Sequence, residues 1–148
     1  MIIRPAKPAD YLALADLWHE SWLSIGISNA WDLDREGVRR RFMQEAEDRW
    51  EIYLAETDGK PVGFLALVPA ENQLDQIFVA PEKKGMGIGS ALLNFARQIL
   101  PERIVLWTAA GNGRAQRFYE RAGFVLMDTR YDLAHRRENC LYVWKPNR

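Results

Sequence analysis

The sequence predicts a single α/β domain over residues 1–148, with a mixed, mostly antiparallel sheet and helices on both of its faces. Three observations lead there. The apolar pattern runs in the order strand, two helices, three strands, helix, strand, helix, two strands. The first half holds a hairpin turn, Thr57-Asp58-Gly59-Lys60, which makes its flanking strands antiparallel neighbours. The second half places helices between strands, the crossover arrangement that parallel pairing requires. A chain of 148 residues suits one such domain.

The elements follow in order. Ile2 to Arg4 reads as a short strand stopped by Pro5. Between Pro8 and Leu23, the residues Tyr11, Leu14, Ala15, Trp18 and Trp22 fall on one helical face, with Asp10, Asp16 and Glu20 mostly opposite. Residues 24–32 carry Gly and Asn and read as a loop. Val38, Phe42 and Ala46, spaced by four, mark a second helix. Trp50 to Glu56 and Pro61 to Val68 are the hairpin strands, and Leu74 to Val79 is a third strand closed by Pro81. Ile88, Leu92, Phe95, Ala96 and Ile99 give the next helix its apolar face, and Pro101 ends it. Arg103 to Thr108 is a strand. Ala115, Phe118, Tyr119 and Ala122 form the inner face of the last helix, stopped by Gly123. Phe124 to Leu133 and Cys140 to Lys145 are the final strands, separated by a polar connection holding His135, Arg136 and Arg137.

Composition removes several function classes. Twenty Lys plus Arg balance twenty Asp plus Glu, so the basic excess of a phosphate-neutralising nucleic-acid binder is missing. One Cys excludes an internal disulfide, and one Cys with two His disfavours a metal centre. The first ten residues lack the apolar core of a secretory leader, and the longest apolar run, Phe64 to Ala70, is interrupted by Pro69 and far shorter than a membrane span. A cytoplasmic protein is expected, as a monomer or homodimer. No G-x-S-x-G elbow is present, and Cys140 reads as a small buried apolar residue, so a covalent acyl-enzyme is not expected.

The chemistry concentrates at Lys83-Lys84-Gly85-Met86-Gly87-Ile88-Gly89-Ser90, between a strand and a helix. Glycines there permit positive φ and close approach of an anion, and the first-turn amides and helix dipole favour a phosphate. Neither the Walker A pattern nor the dinucleotide fingerprint fits, because no Lys follows the last glycine and the spacing is G-x-G-x-G. A plain tight turn is the competing reading of the motif taken alone.

Its context decides between them. Val79-Ala-Pro-Glu-Lys-Lys84-Gly-Met-Gly87-Ile-Gly89 resembles the acyl-CoA-binding signature of the GNAT family of N-acetyltransferases, with Lys84 where the family usually has Gln or Arg. A second block, Asn112-Gly-Arg-Ala115-Gln-Arg-Phe-Tyr119-Glu-Arg-Ala-Gly123-Phe124, is similar to that family's N-x-x-A…F-Y-E-x-x-G-F segment. The helix carrying His19-Glu-Ser-Trp22 is similar to the opening helix of many bacterial members. The resemblance implies acetyl-CoA or a related acyl-CoA, and direct attack on its thioester by a primary amine of a small molecule or peptide. It assigns the pyrophosphate to the backbone of Lys84, Gly85, Met86, Gly87, Ile88, Gly89 and Ser90. It runs pantetheine beside Ile77, Phe78 and Val79, with an amide of Phe78 or Val79 facing the thioester. Asn112 and Ala115 would touch the cofactor, and Tyr119 would protonate the leaving sulfur. A non-catalytic acyl-CoA sensor on the same fold, or a generic nucleotide-binding domain, are the alternatives.

Amine acylation also needs a proton removed from the nucleophile. Asp75, placed by strand alternation on the face of Ile77 and Val79, is the leading candidate base and a candidate contact to the acceptor. Glu71, His19 and His135 are weaker ones, and a water relay with no single base is a further option. Six tryptophans are many for this length, and three of them fall within residues 18–31. Trp18, Trp22, Trp50, Trp107 and Trp144 are expected in the core, Trp22 also being a candidate contact to the acceptor. Trp31 stands in the loop where the resemblance expects the acceptor pocket, with Asp32 and Asp34 beside it to draw an ammonium.

Overall fold

The near-continuous apolar runs of the hairpin strands, residues 52–55 and 62–68, are buried on both faces and place the hairpin inside the sheet rather than at an edge. In the computed structural model, which describes residues 1–26 and 34–147, seven strands form one sheet among those residues. They are β1 (Ile2–Pro5), β2 (Glu51–Thr57), β3 (Lys60–Val68), β4 (Gln73–Val79), β5 (Ile104–Ala109), β6 (Val125–Asp132) and β7 (Arg137–Trp144), in the order β1-β2-β3-β4-β5-β7-β6. Every neighbouring pair is antiparallel except β4 and β5. The β2–β3 turn has Asp58 at φ 53° and Gly59 at φ 75°, the left-handed pair whose twist matches a two-residue hairpin.

Helices α1 (Tyr11–Ile25) and α2 (Arg35–Asp48) cover one face, and α3 (Ile88–Ile99) and α4 (Gly113–Arg121) cover the other. Under α1 and α2 the core is aromatic. Phe42 has no exposed surface, and its ring lies 5.4 to 6.2 Å from those of Tyr11, Trp18, Trp50 and Phe64, tilted or edge-on. The two helices are also tied electrostatically: Asp16 accepts paired hydrogen bonds from Arg35 and Arg39, the shortest 2.8 Å in each case. Asp34, expected near the acceptor, caps α2 by accepting from the Gly37 amide at 2.8 Å. Under α3 and α4 the core is mostly aliphatic, built on Leu65, Leu92, Leu106 and the buried ring of Tyr142. Cys140 is buried there.

Two departures from the sequence reading shape the site. Opposite β3, Leu74 pairs with Leu67 and Gln76 with Ala66, so Asp75 is the extra residue of a β-bulge. Leu74, Ile77 and Val79 therefore share the α3/α4 core despite their odd spacing, and Asp75 turns instead toward Trp50 beneath α2. Its predicted place on the face of Ile77 and Val79 is thus corrected. Strand β7 starts at Arg137, earlier than expected. It leaves only a tight turn, with Arg136 at φ 53°, between β6 and β7. Of the six tryptophans, Trp18 and Trp50 are buried, while Trp107 and Trp144 are only half-buried. No described helix is long and apolar enough to cross a membrane.

Gly63 shows how tightly α3 sits on the sheet. A Cβ there would lie 2.9 Å from the Phe78 carbonyl oxygen, 3.1 Å from Leu92 and 3.3 Å from Ile88. The Gly63→Ala variant is expected to lose about 1–3 kcal/mol through this overpacking, read as a lower denaturant midpoint at unchanged m-value. Asp16 generates a pH effect. Arg39 and then Arg35 hold its carboxyl well below the usual carboxylate range. A depressed folded pKa contributes stability above the unfolded value of about 3.9, and that contribution disappears as pH falls through the folded value. Asp16→Asn should therefore be less stable than wild type at pH 7 and show a shallower loss of stability from roughly pH 5 to 2 in denaturant titrations.

Candidate active site

β4 and β5 touch at one register position only, Gln73 opposite Val105, supported by the Val105 amide donating to the Asn72 carbonyl at 2.9 Å. Beyond it the strands diverge. The Ala80 amide donates to Val62 of β3, and the Phe78 carbonyl lies against Gly63. Strand alternation then directs the amides of Ile77 and Val79 into the splay, and that of Phe78 toward β3. The Val79 carbonyl accepts from the buried hydroxyl of Ser21 at 3.0 Å, which fixes α1 to the open end of β4.

The splay opens into a cleft of about 420 Å³ between the α1/α2 side and the β5–β7 side. At one wall stands Tyr119. Its ring is buried among Phe118, Phe124 and Tyr142, and burial pushes its hydroxyl pKa well above the ordinary tyrosine value. No protein group among the described residues hydrogen-bonds that hydroxyl, and Tyr119 lines the cleft beside Asn112 and Ala115. The Asn112 side-chain oxygen accepts from the Ala115 amide at 3.2 Å, capping α4 from within the cleft wall.

The glycine turn lies at the end of β4. Gly85 and Gly87 adopt φ of 84° and 83°, a left-handed conformation that glycine alone takes without strain. Gly89 does not: it is an ordinary helical residue, and an added Cβ would meet the Phe118 ring at 3.5 Å. Gly87 caps α3 with no side-chain hydrogen bond, which leaves the amides of Ile88, Gly89 and Ser90 without intrahelical acceptors. Met86 is 67% exposed between the glycines. Lys84, whose pKa burial and then nearby Arg114 lower, adds charge at the same place and reaches the Ser24 hydroxyl at 3.3 Å. Open amides, helix dipole and two cations together suit a pyrophosphate.

Residues 11–124 match the profile of the Acetyltransferase (GNAT) family. The chain belongs to this family and is an acetyltransferase. A probable N-acetyltransferase of Mycobacterium tuberculosis is 29% identical over 160 aligned positions, covering 97% of this chain and 84% of that protein. The peptidyl-lysine N-acetyltransferase YiaC of Escherichia coli is 32% identical over 130 residues, 86% of this chain and 85% of that one. The PaiA N-acetyltransferase of Thermoplasma acidophilum, solved in complex with coenzyme A, shares the fold with a TM-score of 0.75 at 22% identity, covering 99% and 100% of the two chains.

Within this GNAT fold the remaining candidates are distributed unevenly. Asp75 lines the cleft, but its carboxylate already accepts from Trp50 Nε1 at 2.7 Å, Gln73 at 3.1 Å and Arg49 at 3.2 Å. Trp22 and His19 line the cleft from α1, whereas Trp31 and Asp32 lie outside the described residues. Glu71 is exposed in a turn before β4 and does not line the cleft. The tight β6–β7 turn brings His135 to the cleft, its Nδ1 2.8 Å from Asp132. Burial alone would raise the Asp132 pKa, and the His135 contacts outweigh it and bring it below the ordinary value. The cleft also receives Arg41 and Arg137, neither of which a motif marks; Arg41 follows Val38 by three on α2, and only the placement of that helix reveals its direction.

Asp75→Ala would remove the acceptor of the buried Trp50 indole N–H and a partner of Arg49. A loss of about 2–3 kcal/mol in chemical denaturation is expected, with Asp75→Asn losing less because its amide oxygen still accepts from Trp50.

Proposed function

We propose that the protein transfers an acetyl group from acetyl-CoA to a primary amine of a small molecule or peptide, by direct attack within a ternary complex. The observation that carries this reading is a buried tyrosine ring whose hydroxyl, without a protein hydrogen-bond partner among the described residues, lines the cleft into which the amides of Ile77 and Val79 are also directed. The residues present fit the donor. The turn from Lys84 to Ser90 offers unpaired amides and positive charge to a pyrophosphate, and the splay gives an extended arm a strand edge to run along. The CoA complex of the PaiA enzyme and the names of the relatives support the same choice.

When bound, acetyl-CoA supplies an acyl group activated as a thioester. The amine nitrogen bonds to the acyl carbon, the carbon–sulfur bond breaks, and the sulfur leaves with a proton. The Val79 amide donates to the carbonyl oxygen as it gains charge, a fixed dipole aimed where the negative charge develops. Tyr119 Oη, a neutral phenol, gives its proton to the leaving sulfur and is reprotonated from solvent through the open cleft. Asp75, with three donors on its carboxylate, serves to anchor β4 rather than to take the amine's proton, which passes to solvent through the open cleft.

Tyr119→Phe tests the assignment. Turnover measured by free-thiol release should fall about 100-fold, within the usual range for loss of a general acid, while the thermal shift given by CoA stays within error. Unchanged turnover would remove Tyr119 from the mechanism. ATP or NAD stabilising the wild type more than CoA does would overturn the choice of donor.

A further inference from the structure

Two arginines reach the acceptor side of the cleft from opposite walls. Arg41 of α2 stands over the ring of Trp18, 5.6 Å from its centroid, and Arg137 of β7 stands over Trp22 at 4.7 Å. Trp18 and Trp22 are one turn apart on α1, so the rings are neighbours along a single ridge, and all four side chains line the cleft. The acids there are already answered. Asp75 holds Arg49, and Asp132 holds the His135 ring together with the amides of Ala134 and His135. Among the described residues Arg41 forms no ion pair with any carboxylate. A guanidinium lying on an indole keeps its in-plane N–H donors, and their fork matches a carboxylate. Half-buried, it faces less screening than a surface cation.

We infer that the acceptor is an amine bearing a carboxylate close to its amino group, with the carboxylate on Arg41, the Trp18–Trp22 ridge beneath it and the nitrogen toward Val79. The inference rests on the amine-acetylation reading and narrows its acceptor. Two sources share this chemistry: a free amino acid, or a peptide whose N-terminal residue is Asp or Glu.

The test pairs acid with neutral isostere. Thiol release is measured for free amino acids against their carboxamides, for peptides beginning Asp or Glu against those beginning Asn or Gln, and for a peptide lysine without neighbouring acids. At least one acid should exceed its isostere by about tenfold in kcat/KM, chiefly through KM. It should do so although a carboxamide's amine is less basic and more often neutral. In Arg41→Gln that ratio should fall toward one, with partial return in Arg41→Lys, and with the melting temperature and the CoA-induced shift retained. Which arm responds identifies the source. Equal rates for acid and isostere, a ratio that survives Arg41→Gln, or a lysine peptide outperforming every acid would each overturn the inference. Calorimetric binding of the same pairs to the protein saturated with CoA separates the two readings. If no amine releases thiol, acetyl transfer fails, yet acid-selective binding lost in Arg41→Gln still upholds the carboxylate site; no acid-selective binding overturns it.

Discussion

The parallel contact between β4 and β5, made at one position and then abandoned, is the constraint on which the rest of the molecule depends. A sheet gains from pairing every strand edge, and here β4 leaves most of one edge unpaired. That is sustainable because its other edge is paired with β3 everywhere but at the Asp75 bulge, and its two faces are packed between separate cores. The bulge at Asp75 begins the divergence. It also sends a carboxylate across to the indole of Trp50, so the irregular part of β4 is pinned to the aromatic core under α2. The unpaired edge then becomes the floor of a cleft.

Chemistry is arranged around that edge by elements with quite different sequence demands. The glycine turn needs backbone freedom at Gly85 and Gly87 and an uncapped helix start at Gly87. Tyr119 needs a hydrophobic collar that raises its pKa and leaves one polar atom facing outward. The far wall of the cleft needs neither; it is assembled from α1, α2 and the β6–β7 turn, with cations laid on indoles.

These differences explain what was legible in the sequence. Element order, the hairpin and both motif blocks depend on local periodicity or fixed spacing, and the structure reproduces the predicted architecture. The bulge left no such trace, because one inserted residue changes which face Asp75 occupies without altering the apolar content of the strand. The third glycine of the turn satisfies the pattern but not the conformational reason given for it, since Gly89 is simply helical. Arg41 and Arg137 were invisible for another reason: each looks like a solvated basic residue until two distant segments are packed against α1. Trp22 was half legible, its helical face correct and its neighbour unforeseen.

The hydrogen bond from Ser21 to the Val79 carbonyl carries a wider consequence. Because α1 is latched to β4, the tryptophan ridge and the open edge of that strand share one frame of reference. α2 is tied into that frame through the Asp16 pairs with Arg35 and Arg39, whereas the β6–β7 turn lies outside it. Side chains on the β6–β7 turn can therefore change the lining of the cleft without moving the α1 ridge relative to β4.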